Sequence, residues 1–177
     1  TKKVVIIGSD IRNPQLQRFS DISRGVVGLT EFLHDETIKK KDIIQPSPFN
    51  KQCDFIYSGS IPPNPTDLLS NGKYQILIDA LKKEYDYIIL DTAPLMLVTD
   101  TLLIAGMADA TIYVMRSGHT EKGLVDFAKR QMDSKKIINA AFVLNDVSRE
   151  HYGYGNKYGY GYGVDNRTFF QKLKDTF

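Results

Sequence analysis

Short apolar runs alternate with helical patterns along this chain, and the alternation restricts its fold more than any other feature. The runs with the length and content of strands are 3–7, 54–57, 87–90, 110–115 and 141–144. The first contains Val4-Val5-Ile6-Ile7 without any interleaved polar residue, which is typical of a strand buried on both faces of a parallel sheet. The sequence therefore predicts an α/β fold, with a parallel sheet flanked by helices.

Helical patterns fill the segments between the runs. Apolar residues at helical spacing predict a helix through Tyr74, Leu77, Ile78 and Leu81. Further helices are predicted around 29–33, over 100–107 and over 120–134. The proline-rich stretch 61–65 cannot be a central strand, because proline lacks the N–H that a sheet requires. We expect a stiff connector there, followed by a helix that is capped near Thr66.

Composition argues against several classes of function. The 177 residues carry a formal net charge of +2, which gives little reason to expect nucleic acid as the main ligand. Cys53 is the only cysteine and there are three histidines, so the sequence indicates neither an internal disulfide nor a thiol–imidazole metal cluster. No apolar run reaches the length of a transmembrane helix. We expect the chain itself to be soluble, although its parent protein could be anchored in a membrane.

Polar residues follow three of the predicted strands, at the edge where parallel α/β sheets bind ligands. Asp10 and Arg12 follow the first strand, and Asp91 follows the third. Mg²⁺ needs one or two carboxylates and keeps several waters, so Asp10 and Asp91 are candidate ligands for a magnesium ion on nucleotide phosphates. With Arg12 they are also the candidate catalytic residues. Asn145 follows the fifth strand and could hydrogen-bond an adenine edge.

Each of these residues also has an ordinary structural interpretation. Asp91 could be a helix N-cap or a turn residue, and Asn145 could simply end its strand in a turn. Asp10 and Arg12 could pair with each other at the surface. The phosphate-binding sequence Gly-x-x-x-x-Gly-Lys-[Ser/Thr] does not occur in the 177 residues. Without it few backbone N–H groups would cradle the phosphates.

A segment rich in tyrosine and glycine follows the last predicted strand. It contains five of the ten tyrosines: Tyr152, Tyr154, Tyr158, Tyr160 and Tyr162. Alternating glycines oppose ordering, so we expect a loosely ordered tail whose phenols are accessible to a kinase. An aromatic linker that associates with itself is the alternative. We therefore expect three parts: a truncated nucleotide-binding domain at 1–149, this tail at 150–164 and a C-terminal segment at 165–177.

The combination of these features resembles the cytoplasmic domain of bacterial tyrosine autokinases, which control export of capsular and exopolysaccharides. Val4 to Arg12 is similar to that family's second Walker motif, and Ile88 to Pro94 resembles its Walker B motif. Ser58-Gly59 with the stretch 62–69, and Thr99-Asp100, match further family segments. The tyrosine cluster stands where the family carries its autophosphorylation sites.

The resemblance implies a P-loop NTPase-like fold of the deviant Walker type. It implies ATP and Mg²⁺ as cofactors and transfer of the γ-phosphate of ATP to the tail tyrosines. It also implies homo-oligomers formed through neighbouring subunits, contacts with the polysaccharide export machinery, a cognate tyrosine phosphatase and no nucleic-acid partner. The implied location is the cytoplasmic side of the inner membrane, through a membrane-anchored parent protein.

The sequence departs from the family pattern in two places. The family's first Walker motif belongs just before Val4, so we expect its strand and helix to be missing and the isolated chain to be inactive. In this fold that strand lies beside the one ending at Asp91, and its absence would leave two sheet edges unpaired. Gly8 stands where the second motif has its first aspartate, a candidate to activate the tyrosine hydroxyl. Asp10 is the carboxylate that remains.

Two other functions stay open at this point. A partition or septum-site ATPase would share the deviant Walker fold, although the tyrosine tail and the Pro-Pro-Asn-Pro connector speak against it. A non-enzymatic module would use its tail only as a substrate or docking segment for a partner kinase.

Overall fold

The computed structural model describes residues 2–19, 26–95 and 100–148, and the strands in these ranges form two separate sheets. The strands are β1 Val4–Gly8, β2 Ile44–Pro46, β3 Cys53–Ile56, β4 Tyr87–Asp91, β5 Thr111–Arg116 and β6 Ala140–Asn145. The helices are α1 Leu29–His34, α2 Lys40–Ile43, α3 Pro65–Ser70, α4 Lys73–Leu81, α5 Asp100–Ala105 and α6 Lys122–Asp133, with a 3₁₀ helix at Leu16–Phe19. Within the described ranges, no helix combines the length and the apolar character that crossing a membrane would require.

The larger sheet has the strand order β2-β3-β1-β4. β1 lies between β3 and β4 and runs parallel to both, as the buried apolar runs predict. β2 was not predicted; it is a short antiparallel edge strand on β3. Its last residue is Pro46, and proline is tolerated at an edge because no further strand needs its N–H. The predicted α/β fold with a mostly parallel sheet is therefore confirmed, with one antiparallel strand added.

The second sheet consists of the parallel pair β5 and β6. Among the described residues no strand ladder joins β4 to β5, and within these ranges both strands have the expected unpaired edge. One face of each strand is also uncovered. Tyr87 and Ile89 of β4 are 57% and 49% exposed, and Ile112 and Val114 of β5 are 67% and 61% exposed. Parallel sheets normally have both faces covered, so this part of the chain presents an apolar surface that is unusual for the fold.

Besides a small cluster of Leu16, Phe55 and Tyr57, two apolar cores accompany the two sheets. The larger one packs β1 and its neighbours against α1, α3 and α4, and all four apolar positions predicted for α4 lie in it. The smaller one holds Leu95, Ala105, Ala128 and Ile137, with side chains of β5 and β6 packed against it. The loop after β1 is thus joined directly to the larger of these cores, which contains Val5 and Ile7 of β1.

The start of α3 refines one prediction. Its N-cap is Asn64 and Pro65 occupies the first helical position, where a missing N–H costs nothing and the fixed φ suits a helix. The predicted helix after the connector is therefore confirmed, and its cap lies two residues before Thr66. The Thr66 hydroxyl instead donates to a carboxylate oxygen of Asp100, at 3.0 Å.

The start of α1 is fixed by Glu31. One oxygen of its carboxylate accepts the Gly28 N–H at 2.8 Å, and the other accepts the N–H and hydroxyl of Ser60 at 2.9 and 2.5 Å. Partial burial acts to raise the pKa of Glu31, but the hydrogen bonds from Ser60 and Gly28 outweigh it and hold the pKa below its usual range.

We expect Glu31→Gln to lower the melting temperature by a few degrees at neutral pH, since the group is partly exposed and solvent screens its charge. A carboxylate with a depressed pKa stabilises the fold above its unfolded-state pKa, about 4.3 for glutamate, and this contribution is lost as the pH falls through the folded-state value. Thermal melts of both proteins from about pH 7 down to about pH 3 should therefore converge. If the difference in melting temperature between wild type and Glu31→Gln is as large at about pH 3 as at about pH 7, the stabilising role of the Glu31 carboxylate is wrong.

Candidate nucleotide and metal site

The loop after β1 and the end of β4 bring two predicted site residues together. Gly8 pairs with Asp91 in the parallel ladder. Beyond this pair, the N–H groups of Ser9 and Asp10 both donate to the Asp91 carbonyl, at 2.7 and 3.1 Å. The predicted juxtaposition of Asp10 and Asp91 is thus present, and main-chain hydrogen bonds hold it.

The electrostatics of this pair suit a bound cation. Partial burial removes water from the Asp91 carboxylate and raises its pKa, and the nearby charge of Asp10 raises this pKa further. The Asp10 carboxylate accepts the N–H groups of Arg12 and Asn13, at 3.2 and 2.9 Å. Neither aspartate forms an ion pair with any residue in the described ranges.

Carboxylate oxygens are the donors that Mg²⁺ prefers, and one or two of them suffice. The described residues contain no group of three or more potential metal ligands. A magnesium ion here would therefore be held by Asp10, Asp91, waters and the oxygens of a ligand. The donor set fits an ion that arrives with a nucleotide.

Arg12 does not pair with Asp10; it is bound to Asp100 at the start of α5. Its Nε donates to one carboxylate oxygen of Asp100 at 2.6 Å, and its Nη2 donates to the other at 3.2 Å. Nη2 also donates to the Thr66 hydroxyl, at 3.0 Å. Asp100 is 3% exposed, and the hydrogen bond from Arg12 holds its pKa below the usual range, against the effect of burial.

The structure therefore rules out the surface pairing of Asp10 with Arg12. It adds Asp100 and Thr66 to the residues that shape the site. Sequence reasoning did not assign either to it, because Asp100 is 88 positions from Arg12 in the chain. No local pattern reports a contact over that separation.

We expect Arg12→Ala to lower the melting temperature by roughly 6–12 °C, because it leaves a buried carboxylate without its cation. Arg12→Lys should lie between this variant and wild type, since lysine keeps the charge but cannot form the two-pronged contact. Differential scanning calorimetry at neutral pH measures both. A change of less than about 2 °C for Arg12→Ala, the size of an ordinary surface substitution, would show that the ion pair does not stabilise the fold.

Buried hydroxyl groups join the loop after β1 to helix α4. The Ser9 hydroxyl lies 2.6 Å from the Tyr74 hydroxyl of α4, and it also contacts the Ile7 carbonyl at 3.3 Å. When Ser9 donates to that carbonyl, Tyr74 donates to Ser9. Tyr74 is fully buried, which raises the pKa of its phenol. The sequence predicts Tyr74 only as a core residue of a helix. In the structure its hydroxyl also hydrogen-bonds Ser9, which lies between Gly8 and Asp10.

The remaining site predictions are not tested by these contacts. Asn145 is the last residue of β6 and is exposed. Its carbonyl accepts the Ser117 N–H at 2.9 Å, and no hydrogen bond or ion pair within the described ranges joins it to Asp10 or Asp91. Its role at an adenine edge stays a prediction. The tail tyrosines and Thr99 lie outside the described residues.

Comparison with known proteins identifies similar chains. The sequence is 34% identical over 159 residues to a tyrosine-protein kinase, CpsD, of Streptococcus pneumoniae, covering 89% of this chain and 69% of that protein. It is 32% identical over 173 residues to the tyrosine-protein kinase YwqD of Bacillus subtilis, covering 97% of this chain and 69% of the relative. No family model matches the chain.

A solved structure supports the same grouping. The kinase domain of the Escherichia coli tyrosine kinase ETK superposes with a TM-score of 0.75 at 26% sequence identity, covering 92% of this chain and 62% of that domain. The expected P-loop NTPase-like fold is thereby confirmed. The chain spans about two thirds of the length of each of these three proteins.

Proposed function

The chain belongs to the family of bacterial tyrosine-protein kinases, and from that membership we propose that, as the cytoplasmic domain of its parent protein, it transfers the γ-phosphate of ATP to tyrosines in a capsule or exopolysaccharide system. The observation that carries the proposal is the carboxylate pair at the carboxyl ends of β1 and β4. Main-chain hydrogen bonds hold Asp10 beside Asp91, at the edge of the sheet where this fold class binds nucleotides.

The proposed roles follow from the contacts of each residue. Asp10 and Asp91 hold Mg²⁺, which when bound neutralises the charge on the nucleotide phosphates. Arg12 uses Nε and Nη2 on Asp100 and Thr66, so we assign its Nη1 to a phosphate oxygen. Asp10, the remaining carboxylate beside Gly8, also orients the hydroxyl of the acceptor tyrosine.

The adenine contact and the acceptor tyrosines are assigned to residues that follow β6 or end it. We assign to Asn145, at the end of β6, the hydrogen bond to the edge of the adenine base. The proposed acceptors are the tyrosines of the tail: Tyr152, Tyr154, Tyr158, Tyr160 and Tyr162. A neighbouring subunit of a homo-oligomer would present ATP to them more easily than the chain's own site. Several phosphates would add negative charge near the two aspartates, and repulsion would then loosen the assembly.

The wider setting is proposed from the same family membership. We propose the polysaccharide export machinery and a cognate tyrosine phosphatase as partners. The proposed location is the cytoplasmic side of the inner membrane, on a membrane-anchored parent protein.

We expect the 177 residues alone to bind ATP·Mg weakly and not to phosphorylate themselves. The phosphate-binding sequence that supplies most phosphate contacts in this fold class does not occur among them. Isothermal titration calorimetry measures the affinity directly. Micromolar or tighter binding would contradict this expectation.

The function is tested by mixing the parent protein with ATP·Mg, in the presence and absence of the pneumococcal relative CpsD, and mapping phosphotyrosine by mass spectrometry. The control replaces the five tail tyrosines by phenylalanine. Phosphate on the tail without the relative shows a kinase. Phosphate only with the relative shows an acceptor module, the second candidate function, which the absent phosphate-binding sequence favours for these residues alone. Phosphate release without tyrosine modification would show an ATPase, which the kinase relatives do not favour.

A further inference from the structure

The space beside Gly8 is closed by Ser58. A Cβ atom placed on Gly8 would lie 2.7 Å from the Ser58 hydroxyl oxygen, 3.2 Å from the Ser58 backbone nitrogen and 3.5 Å from the Leu16 Cβ. A Cβ carbon atom does not approach an oxygen as closely as 2.7 Å, so position 8 accepts only glycine while Ser58 keeps its place. The obstacle is chiefly one oxygen atom, because the other two contacts are tight or ordinary.

Ser58 is held firmly in this place. It is 1% exposed, and its hydroxyl donates to the Gly8 carbonyl at 2.8 Å. Its own carbonyl accepts the Thr30 N–H from the start of α1, at 2.9 Å. Rotating the hydroxyl away from Gly8 would leave a buried polar group to find another partner, so the serine cannot simply make room.

The register of the sheet shows what a side chain at position 8 would face. Gly8 and Asp91 are direct partners in the parallel ladder of β1 and β4. Partner residues on neighbouring strands project their side chains to the same side of a sheet, at about the 4.8 Å spacing of the strands. A carboxylate at position 8 would therefore stand beside the Asp91 carboxylate, with Asp10 two residues further along.

We propose that Ser58 limits the cation site of this chain to two carboxylates, by filling the space that a third one at position 8 would need. The identity of the site rests on the proposed function; the packing of Ser58 against Gly8 does not. With only Asp10 and Asp91 as protein ligands, a bound Mg²⁺ keeps positions for waters and phosphate oxygens. The free ion then binds weakly, and the cation enters mainly as part of a nucleotide complex.

The packing is tested by thermal unfolding of Gly8→Ala, Ser58→Ala and the double variant. Gly8→Ala should lower the melting temperature by roughly 3–10 °C, as expected for an overpacked core. Adding Ser58→Ala to Gly8→Ala should restore most of the lost melting temperature. Ser58→Ala alone should not raise the melting temperature above that of wild type. If Gly8→Ala melts like wild type, or if Ser58→Ala gives no recovery, the proposal is overturned whatever the cation does.

The cation site is tested by Mn²⁺ titration followed by electron paramagnetic resonance. Gly8→Asp/Ser58→Ala should bind Mn²⁺ at least about tenfold more tightly than the neutral, equally shaped Gly8→Asn/Ser58→Ala, because a third carboxylate joins the ligand set. Equal affinities in these two variants, or tight binding by a stable Gly8→Asp single variant, would overturn the proposal.

Asp91→Asn added to Gly8→Asp/Ser58→Ala, the background expected to bind Mn²⁺ tightly, serves as the separate control. If it leaves Mn²⁺ binding unchanged, the proposed cation site is wrong at Asp91, and this failure belongs to the proposed function. The unfolding comparison still decides whether Ser58 closes position 8.

Discussion

Replacing Gly28 by alanine is expected to cost more than about 3 kcal/mol of unfolding free energy, or to prevent folding altogether. A Cβ atom at Gly28 would lie 2.4 Å from the Tyr57 carbonyl oxygen, 2.6 Å from the Gly59 nitrogen and 2.9 Å from the Gly59 Cα. All three are backbone atoms, which cannot move aside as the end of a flexible side chain can. The chain can therefore accommodate the methyl group only by separating α1 from the segment after β3.

That separation would break several hydrogen bonds at once. The Leu29 N–H donates to the Tyr57 carbonyl at 2.8 Å, and the Thr30 N–H donates to the Ser58 carbonyl at 2.9 Å. The contact between Gly28 and Glu31 lies at the same junction. Because Ser58 is anchored here, the damage would extend to the loop beside Gly8.

Chemical denaturation by guanidinium, followed by circular dichroism, measures this effect. Gly123→Ala is the matched control, since Gly123 lies in α6 and a Cβ atom there meets nothing within 4 Å. It should leave the unfolding free energy within about 0.5 kcal/mol of wild type, because Gly123 lies in the first turn of α6 and the added methyl group meets no other atom. If both variants unfold at the same denaturant concentration, the close approach of backbone atoms to Gly28 does not affect the unfolding free energy, and the prediction is wrong.

The second large effect concerns the sheet edges. We expect the 177-residue chain to self-associate at micromolar concentrations through the unpaired edges of β4 and β5. In the described part of the chain, both edges combine unpaired backbone groups with exposed apolar side chains, Ile89 on β4 and Ile112 and Val114 on β5 among them. Strands of this kind pair readily with other strands, because each hydrogen bond formed also removes apolar surface from water.

Size-exclusion chromatography with light scattering measures this association. The double variant Ile112→Lys/Val114→Lys should shift the chain toward monomer, since lysine on an edge strand opposes pairing. Ile76→Lys is the matched control: Ile76 is 65% exposed but lies on helix α4, away from any edge. A monomeric wild-type chain with a sharp, cooperative melt would contradict the expectation.

The sequence predicted those parts of the fold that depend on local patterns. The buried run at β1 and the apolar spacing of α4 identified both elements. The parallel direction of the strands then put Asp10 and Asp91 at the same edge of the sheet. These inferences need only the rule that carboxyl ends of parallel strands meet at the same side of a sheet. They succeeded because neither depends on which distant segment packs where.

The parts that could not be predicted are contacts between distant segments. The ion pair of Arg12 with Asp100 and the closure of Gly8 by Ser58 join residues 88 and 50 positions apart. Nothing near either residue in the chain distinguishes such a partner from other polar residues. The strand β2 was missed for a related reason: three residues ending in proline carry too little pattern to indicate an edge strand.

The burial of Tyr74 also sets a standard for mapping phosphorylation. Its phenol is enclosed by protein and hydrogen-bonded to Ser9, so a kinase cannot reach it in the folded chain. Tyr57 and Tyr85 are buried as well. A phosphate detected on any of these three would therefore report protein that had unfolded before modification. The ratio of phosphate on Tyr74 to phosphate on the tail then serves as an internal gauge of sample quality in each phosphotyrosine map.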